Sequence, residues 1–599
     1  MNSVFFSRRK FLQTTGSALG GGLIFSSATQ AAYGSGTDPS GLTEKPQWLV
    51  ELVGLNDSRF DDFPKFLKEN RVNDESDPHF GGFLDHRFGL PTVGATNQFI
   101  RTALCSMLTP ESHWYHSGQL LQAVTEASEH LLYMQHDDGS IDLINHNFFS
   151  PPDTAFIVRN LAPLYGIFLD EEIPGSQRAL ENIRSFLDKA SLPLLDGGIH
   201  TPNHRWVFCA ALGRLYELWP EEKYRIRAEQ WLVEGIDMDD DGQYRERDMI
   251  YTAVSNRALL TTSNAFDKPE LLDYVRRSLD MLLYYVTSTG EMAEEISERV
   301  ERDGRSLRDL SRFYIPFRSM AIRDDNGVYA SMCRLIERRD FERLTGNLYQ
   351  LLVDRDLWEP LPVSKPMPRS YEKEFKNSGI VRVRRGNYDA SIISRYARQG
   401  IFFTYHKTDA VLWGMRLGSS FSGMGQFVAQ DIRRENDEWV LERKVDGLYF
   451  QPLPEEHIPL GMGWEFDEKY SKYGLMWDTT NRELTRIHTL RQLVQVREID
   501  NGFELDVTVD GTDYVPTAIE LIFRPGGRFS GVEKHPNLND IHFLKEGYGQ
   551  YHVGRNTITF GPGSYKHHNV ELRGTLPGID FPTVVLTGVS PFRHTIRLT

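Results

Sequence analysis

The hydrophobic period of this chain changes once, and that change constrains its architecture more than any other feature. From about Pro46 to Trp358, apolar residues recur at three- and four-residue spacing. Residues 119–134, 176–187, 206–218, 224–234 and 269–286 are therefore predicted as amphipathic helices. Glu359 to Pro368 then carries four prolines in ten residues, the composition of an interdomain linker. Beyond it the period is two. Residues 379–385, 390–396, 401–405, 490–498, 503–509, 518–523 and 583–587 are β-branched, aromatic and alternating, as half-buried strands are. Asp500-Asn501-Gly502 and Asp510-Gly511 mark turns between them. With no helix interleaved, these strands predict antiparallel sheets.

Polar-to-apolar transitions recur roughly every fifty residues in the helical half, at Thr96-Asn97, Pro152-Asp153, Pro202-Asn203, Ser255-Asn256 and Leu310-Ser311. That spacing suits one helical hairpin with its loops. Five or more hairpins predict an incomplete (α/α) toroid around a central cleft. An open α-solenoid is the alternative, but solenoids have shorter loops and a stronger repeat. The expected organisation is a signal peptide over 1–32, a toroid with the catalytic groups over 33–358, a Pro-rich linker over 359–375 and an antiparallel β-sandwich over 376–599.

Ser7-Arg8-Arg9-Lys10-Phe11-Leu12 resembles a twin-arginine export signal. A short Gly/Ala-rich apolar run follows, with small residues near Ala31 and Ala32 for cleavage. This implies passage through the twin-arginine export machinery to the periplasm or the exterior. No later run is long enough to span a bilayer, so no membrane association is expected after cleavage. Lys plus Arg number 67 and Asp plus Glu 83, a net charge of −16, which argues against a nucleic-acid partner. Cys105, Cys209 and Cys333 are too few for a disulfide framework and form no CxxC pair.

Three stretches carry chemistry. Gly197-Gly198-Ile199-His200-Thr201-Pro202-Asn203-His204-Arg205 leads from a loop into a helix, placing Asn203 and His204 in a first turn that favours anions. Asp241-Gly242-Gln243-Tyr244-Arg245-Glu246-Arg247 precedes the next inner helix, with Tyr251, Asn256 and Arg257 beyond it. The strand 401–405 runs on into His406, with Tyr405 beside it. An Asn/His pair, a Tyr and a His from a second domain suit β-elimination at a uronic acid. Donors neutralise the carboxylate, a base takes the C5 proton, and an acid protonates the C4 glycosidic oxygen.

This arrangement resembles the heparinase II/III-like polysaccharide lyases. The resemblance implies a toroid followed by a β-sandwich, and a lyase acting on an anionic polysaccharide or oligosaccharide without a required cofactor. Asn203 and His204 match the family's carboxylate neutralisers, Tyr251 its catalytic tyrosine (Tyr244 less closely), and His406 its β-domain histidine. Two departures stand out: Pro202 replaces the first Asn of an Asn-Asn-His run, and Arg247 follows Glu246 where the family has Gly.

Further candidates for substrate contact are His86, Arg87, His146, Arg205, Tyr244, Asn256, Arg257, Tyr314, Arg318 and Tyr405. Tyr314 is also an alternative to Tyr251. Asp237, Asp239, Asp241 and Asp248 have the spacing of a Ca²⁺ loop, a possible structural divalent site, although a solvated acidic turn fits the same residues. Two other functions remain open: a glycoside hydrolase, for which Asp138, Asp153, Asp196, Asp241 and Glu246 offer paired carboxylates, and a non-catalytic polysaccharide-binding protein.

Overall fold

The structure is a computed structural model that describes residues 45–295, 297, 309–395, 399–457 and 480–599. The expected signal peptide lies outside these residues. Thirteen α-helices occur among them: α1 (Gln47–Asp57), α2 (Phe63–Asn70), α3 (Val93–Met107), α4 (Gly118–Met134), α5 (Pro151–Asp170), α6 (Gln177–Asp196), α7 (Asn203–Leu218), α8 (Glu222–Leu232), α9 (Met249–Phe266), α10 (Leu271–Tyr285), α11 (Tyr314–Arg323), α12 (Gly327–Asp340) and α13 (Leu348–Val353). None is long and apolar enough to cross a membrane.

Local sequence explains where these helices begin. Thr92, Ser117, Ser150, Asp248 and Asn326 each accept a backbone N–H from the first turn of the helix that follows. Helix α9 starts at Met249, six residues before the expected Ser255-Asn256 transition, because Asp248 caps it. Helix α6 runs on to Asp196, beyond the predicted end at 187, with Pro193 in its last turn.

The hairpins pair as α3/α4, α5/α6, α7/α8, α9/α10 and α11/α12, and α5, α7 and α9 pack side by side. Twelve of the sixteen residues of α7 are buried, as suits an inner helix. In an open solenoid each repeat meets only its neighbours. Here α13 packs against α3 and α5, and the Tyr349 hydroxyl donates to Asn160 Oδ1 at 2.6 Å, 189 residues away. The end of the helical half thus returns to its beginning, which makes a toroid. Cys105, Cys209 and Cys333 are buried free thiols within it.

The second half is a sandwich of a nine-stranded and an eight-stranded sheet. Pairing is antiparallel except where Ile541–Phe543 runs parallel to the start of Thr583–Val589. Strands Leu484–Ile499 and Gly502–Gly511 form the expected hairpin, with Asn501 at φ 61° in its two-residue turn. Val494, Leu505, Val507, Phe403, Tyr405 and Ile519 belong to one core between the sheets.

The linker reading needs correction. Ser370–Phe375 is the edge strand of the nine-stranded sheet, not linker. The segment before it is strapped to α12: Lys365 N–H donates to Gly327 O at 2.8 Å, and Ser331 Oγ to Lys365 O at 2.6 Å. Gly327 permits this approach, since a Cβ there would stand 2.3 Å from Val363 O.

One buried histidine makes the toroid sensitive to acid. His130 is 1% exposed, with Nδ1 3.1 Å from Thr96 Oγ1 and Nε2 3.3 Å from His79 Nδ1. Burial, then the neighbouring His79, lowers its pKa to about 4. The unfolded chain therefore binds the extra proton first, and stability falls as pH drops from about 6.5 towards 4. The difference corresponds to about 3 kcal/mol over that window. Urea unfolding at pH 7 and pH 4 measures it, and His130→Gln is expected to flatten the slope.

Candidate active site

The helical half meets the β-sandwich at the loop before α9 and at the end of α10. Strand Ile380–Arg385 meets the end of α10, where Arg382 Nε donates to Tyr284 O at 3.3 Å and Arg384 Nη1 to Val286 O at 2.9 Å. Asn377 N–H donates to Asp241 Oδ2 at 2.7 Å, and Arg524 pairs with Glu291 at 2.6 Å. The loop preceding α9 and the stretch after α10, which leads towards α11, therefore meet the nine-stranded sheet.

Asn203 opens α7 and is 2% exposed. Its Nδ2 donates to both oxygens of Glu246, at 2.9 and 2.7 Å. This amide is thus already directed at a carboxylate, at a helix end that favours negative charge. His204 is buried beside it. Its ring meets Phe156 edge-on at 6.1 Å and His200 at 4.8 Å, and His200 in turn lies 6.3 Å from exposed His146. The structure therefore groups Asn203, His204 and His146.

Tyr251 sits half-buried in the first turn of α9, which packs on α7. Asp248 Oδ1 accepts its backbone N–H at 3.1 Å. The other oxygen of Asp248 accepts from Ser297 Oγ at 2.6 Å, and Glu295, two residues earlier, accepts from Thr404 Oγ1 at 3.2 Å. Thr404 shares its strand face with His406. Polar contacts thus run from the cap of the Tyr251 helix to the strand carrying His406.

His406 is 3% exposed, and its Nδ1 is 3.2 Å from Asp389 Oδ1 on the adjacent strand. Asp389 also receives Arg382 Nη2 at 2.9 Å and the backbone N–H of Ser288. Burial opposes ionisation of Asp389, but His406 and Arg382 outweigh it and hold the carboxyl far below its ordinary range. The aspartate thus lies against the Nδ1 edge of the imidazole at ion-pair distance.

Several residues expected to contact substrate are engaged in contacts within the protein. Tyr244 donates to Asn256 Oδ1 at 2.8 Å, Asn256 donates to Ser278 Oγ at 3.0 Å, and all three are buried between α9 and α10. Burial pushes the Tyr244 hydroxyl well above its ordinary pKa. Arg205 is tied to Glu234 and Asp237, both at 2.9 Å. Tyr314, the alternative to Tyr251, is fully buried and donates to Glu337 at 2.8 Å. Arg318 clamps Leu357 O at 2.6 Å and Glu359 O at 2.9 Å, holding the start of the strap. Tyr405 faces the sandwich core, because successive strand residues point to opposite faces and His406 takes the other. Arg257 donates to Asn347, Tyr349 and Gln350 deeper in the toroid. His86 and Arg87 are exposed on the turn before α3, bonded to Asn70 at 2.8 Å and paired with Asp85 at 2.6 Å.

The Ca²⁺ loop reading also changes. Asp237 pairs with Arg205 and Asp239 with Arg247, both at 2.9 Å, Asp241 accepts from Asn377, and Asp248 caps α9. Their carboxylates serve different partners instead of one centre. Among the described residues no group of three or more His, Cys, Asp or Glu is placed to hold a metal ion. Four of the five carboxylates considered for hydrolysis are likewise engaged: Asp153 accepts from Asn147 and Ser150, Asp138 from Ser140, Asp241 from Asn377 and Glu246 from Asn203.

Sequence reasoning missed Asp389 and Phe148. Asp389 carried no local signal, since its partners come from neighbouring strands and a distant loop. Phe148, 63% exposed on the strand just after His146, was not singled out as a candidate.

No protein-family profile matches the chain, and no curated protein matches its sequence. Its structure is similar to that of heparinase III, with TM-score 0.53 and 11% identity over 94% of this chain and 86% of that one. It is similar to Streptomyces coelicolor A3 chondroitin AC lyase in complex with chondroitin sulphate, with TM-score 0.51 and 12% identity over 94% and 80%. It is also similar to Paenibacillus xanthan lyase, with TM-score 0.52 and 8% identity over 92% of this chain and 57% of that one. The chain thus shares the helical toroid and β-sandwich fold of these polysaccharide lyases.

Proposed function

We propose that this protein is an exported polysaccharide lyase that cleaves uronic-acid-containing chains by β-elimination, leaving a 4,5-unsaturated uronide. The observation that carries this reading is the Asn203 amide held on a carboxylate at the start of α7. Glu246 occupies the position of the charge that a uronate brings, and the substrate carboxylate exchanges for it against Asn203 and His204. Donors at a helix N-terminus then stabilise the charge that develops on the carboxylate as C5 loses its proton. Tyr251 takes that proton. The electron pair forms the C4=C5 double bond as the C4–O bond breaks, and the leaving oxygen receives a proton. That proton comes from Tyr251 itself in syn elimination, and from His406 or His204 in anti elimination. The twin-arginine-like leader supports action in the periplasm or outside the cell.

Incubating the protein with alginate, glucuronan, ulvan, heparan sulfate, hyaluronan, chondroitin and rhamnosyl-glucuronate gums tests the reading. Ultraviolet absorbance of the conjugated uronide and new reducing ends should rise together on one of them. Reducing ends without absorbance would mean hydrolysis. Asn203→Ala removes one preorganised donor and is expected to lower kcat about 10²–10³-fold, measured by the same absorbance.

A further inference from the structure

Deeper in the toroid, three inner helices send guanidinium groups towards one tyrosine. Arg101 of α3 lies 5.2 Å, and Arg257 of α9 6.0 Å, from the centre of the Tyr349 ring. Arg159 of α5 joins them, 91% buried and 5.3 Å from the Phe156 ring centre. Arg257 donates only to neutral groups, namely Asn347, Tyr349 and Gln350. Arg101 Nε and both Nε and Nη1 of Arg159 are buried and have no hydrogen-bond partner among the described residues. None of the three arginines has a carboxylate partner among those residues.

Such a cluster is costly, because buried charge is tolerated when it is paired. Guanidinium does not escape by losing its proton near neutrality. Tyr349 does not supply the missing negative charge while its hydroxyl donates to Asn160. Burial opposes its ionisation, but Arg257, Arg159 and Arg101 draw its pKa below the ordinary tyrosine value, which shows how positive the surroundings are. A cavity of about 830 Å³ opens onto Arg101 and Tyr349, with Arg59, Arg343, Asp309 and Glu342 also on its wall. Arg59 donates to the neutral Thr345 Oγ1 at 2.8 Å. That volume accommodates a small anion or a short saccharide.

We propose that Arg101, Arg159 and Arg257 around Tyr349 form an internal oxyanion site, filled by a sulfate, phosphate or carboxylate group reached through this cavity. The site stands on its own geometry and does not depend on the lyase reading. The oxyanion is either free in solution or carried by a sugar, and binding measurements separate the two.

Isothermal titration of the full chain uses sodium sulfate, sodium phosphate, methyl glucuronide and, as a neutral control, methyl glucoside, all at matched ionic strength in chloride. Saturable binding of at least one oxyanion is expected, with none of methyl glucoside. Sulfate or phosphate binding alone identifies a free-anion site, and glucuronide binding alone a sugar-borne one. Arg101→Gln and Arg159→Gln should each weaken binding at least tenfold, and Arg101→Lys by less, with folding checked by circular dichroism. If one variant does not fold, the other serves. No saturable oxyanion binding by the wild type, or unchanged affinity in a folded Gln variant, overturns the proposal.

Discussion

Tyr251→Phe is expected to lower kcat about 10³-fold or more while leaving the protein folded. The substitution removes one oxygen and keeps the ring. The start of α9 is held independently, because the Asp248 carboxylate accepts the backbone N–H groups of residues 250 and 251. What is lost is the group assigned to C5 proton removal, and positioned proton transfer contributes about 10²–10⁴-fold. If Tyr251 also returns the proton to the leaving oxygen, the loss sits at the upper end of that range. Substrate binding should persist, so KM changes little. Tyr244→Phe and Tyr314→Phe serve as controls. Each removes a buried hydroxyl from Asn256 or Glu337, so each should lower stability by about 1–3 kcal/mol and leave kcat near wild type.

Asp389→Asn is expected to destabilise the protein by about 3–5 kcal/mol, the cost of breaking a buried ion pair. Asp389 and Arg382 are both 0% exposed and 2.9 Å apart. Removing the carboxylate strands a guanidinium that remains charged, and it also releases His406 Nδ1. Urea unfolding at pH 7 measures the loss. Replacing the pair together, as Arg382→Met with Asp389→Leu, should restore much of the stability, since it leaves no uncompensated charge. Activity should stay low in the double variant, because the imidazole has lost its anchor. That split separates the structural role of Asp389 from its positioning of His406.

The broad architecture was legible because periodicity is local. A helical period before Trp358 and a period of two after Pro368 follow from side-chain direction along each element. The Asp500-Asn501 turn was legible for the same reason. Long-range partners were not. Glu246 was visible as a carboxylate, but its pairing with Asn203 joins residues 43 apart in sequence. Arg205 follows Asn203 and His204 directly, yet it points away to Glu234 and Asp237, as one residue's rotation about a helix axis allows. Tyr405 and His406 were grouped together, although a strand period of two sends neighbours to opposite faces. The strap over α12 was misread because proline density signals extended chain and does not say whether that chain is anchored.

The mass of the released oligosaccharide tests the elimination chemistry most directly. After digestion of whichever uronic-acid polysaccharide is cleaved, a product from the new non-reducing end should be one water lighter than its hydrolytic counterpart. Its lost mass should appear together with the conjugated absorbance. A product of full hydrolytic mass would contradict elimination, and with it the roles given to Asn203, His204 and Tyr251.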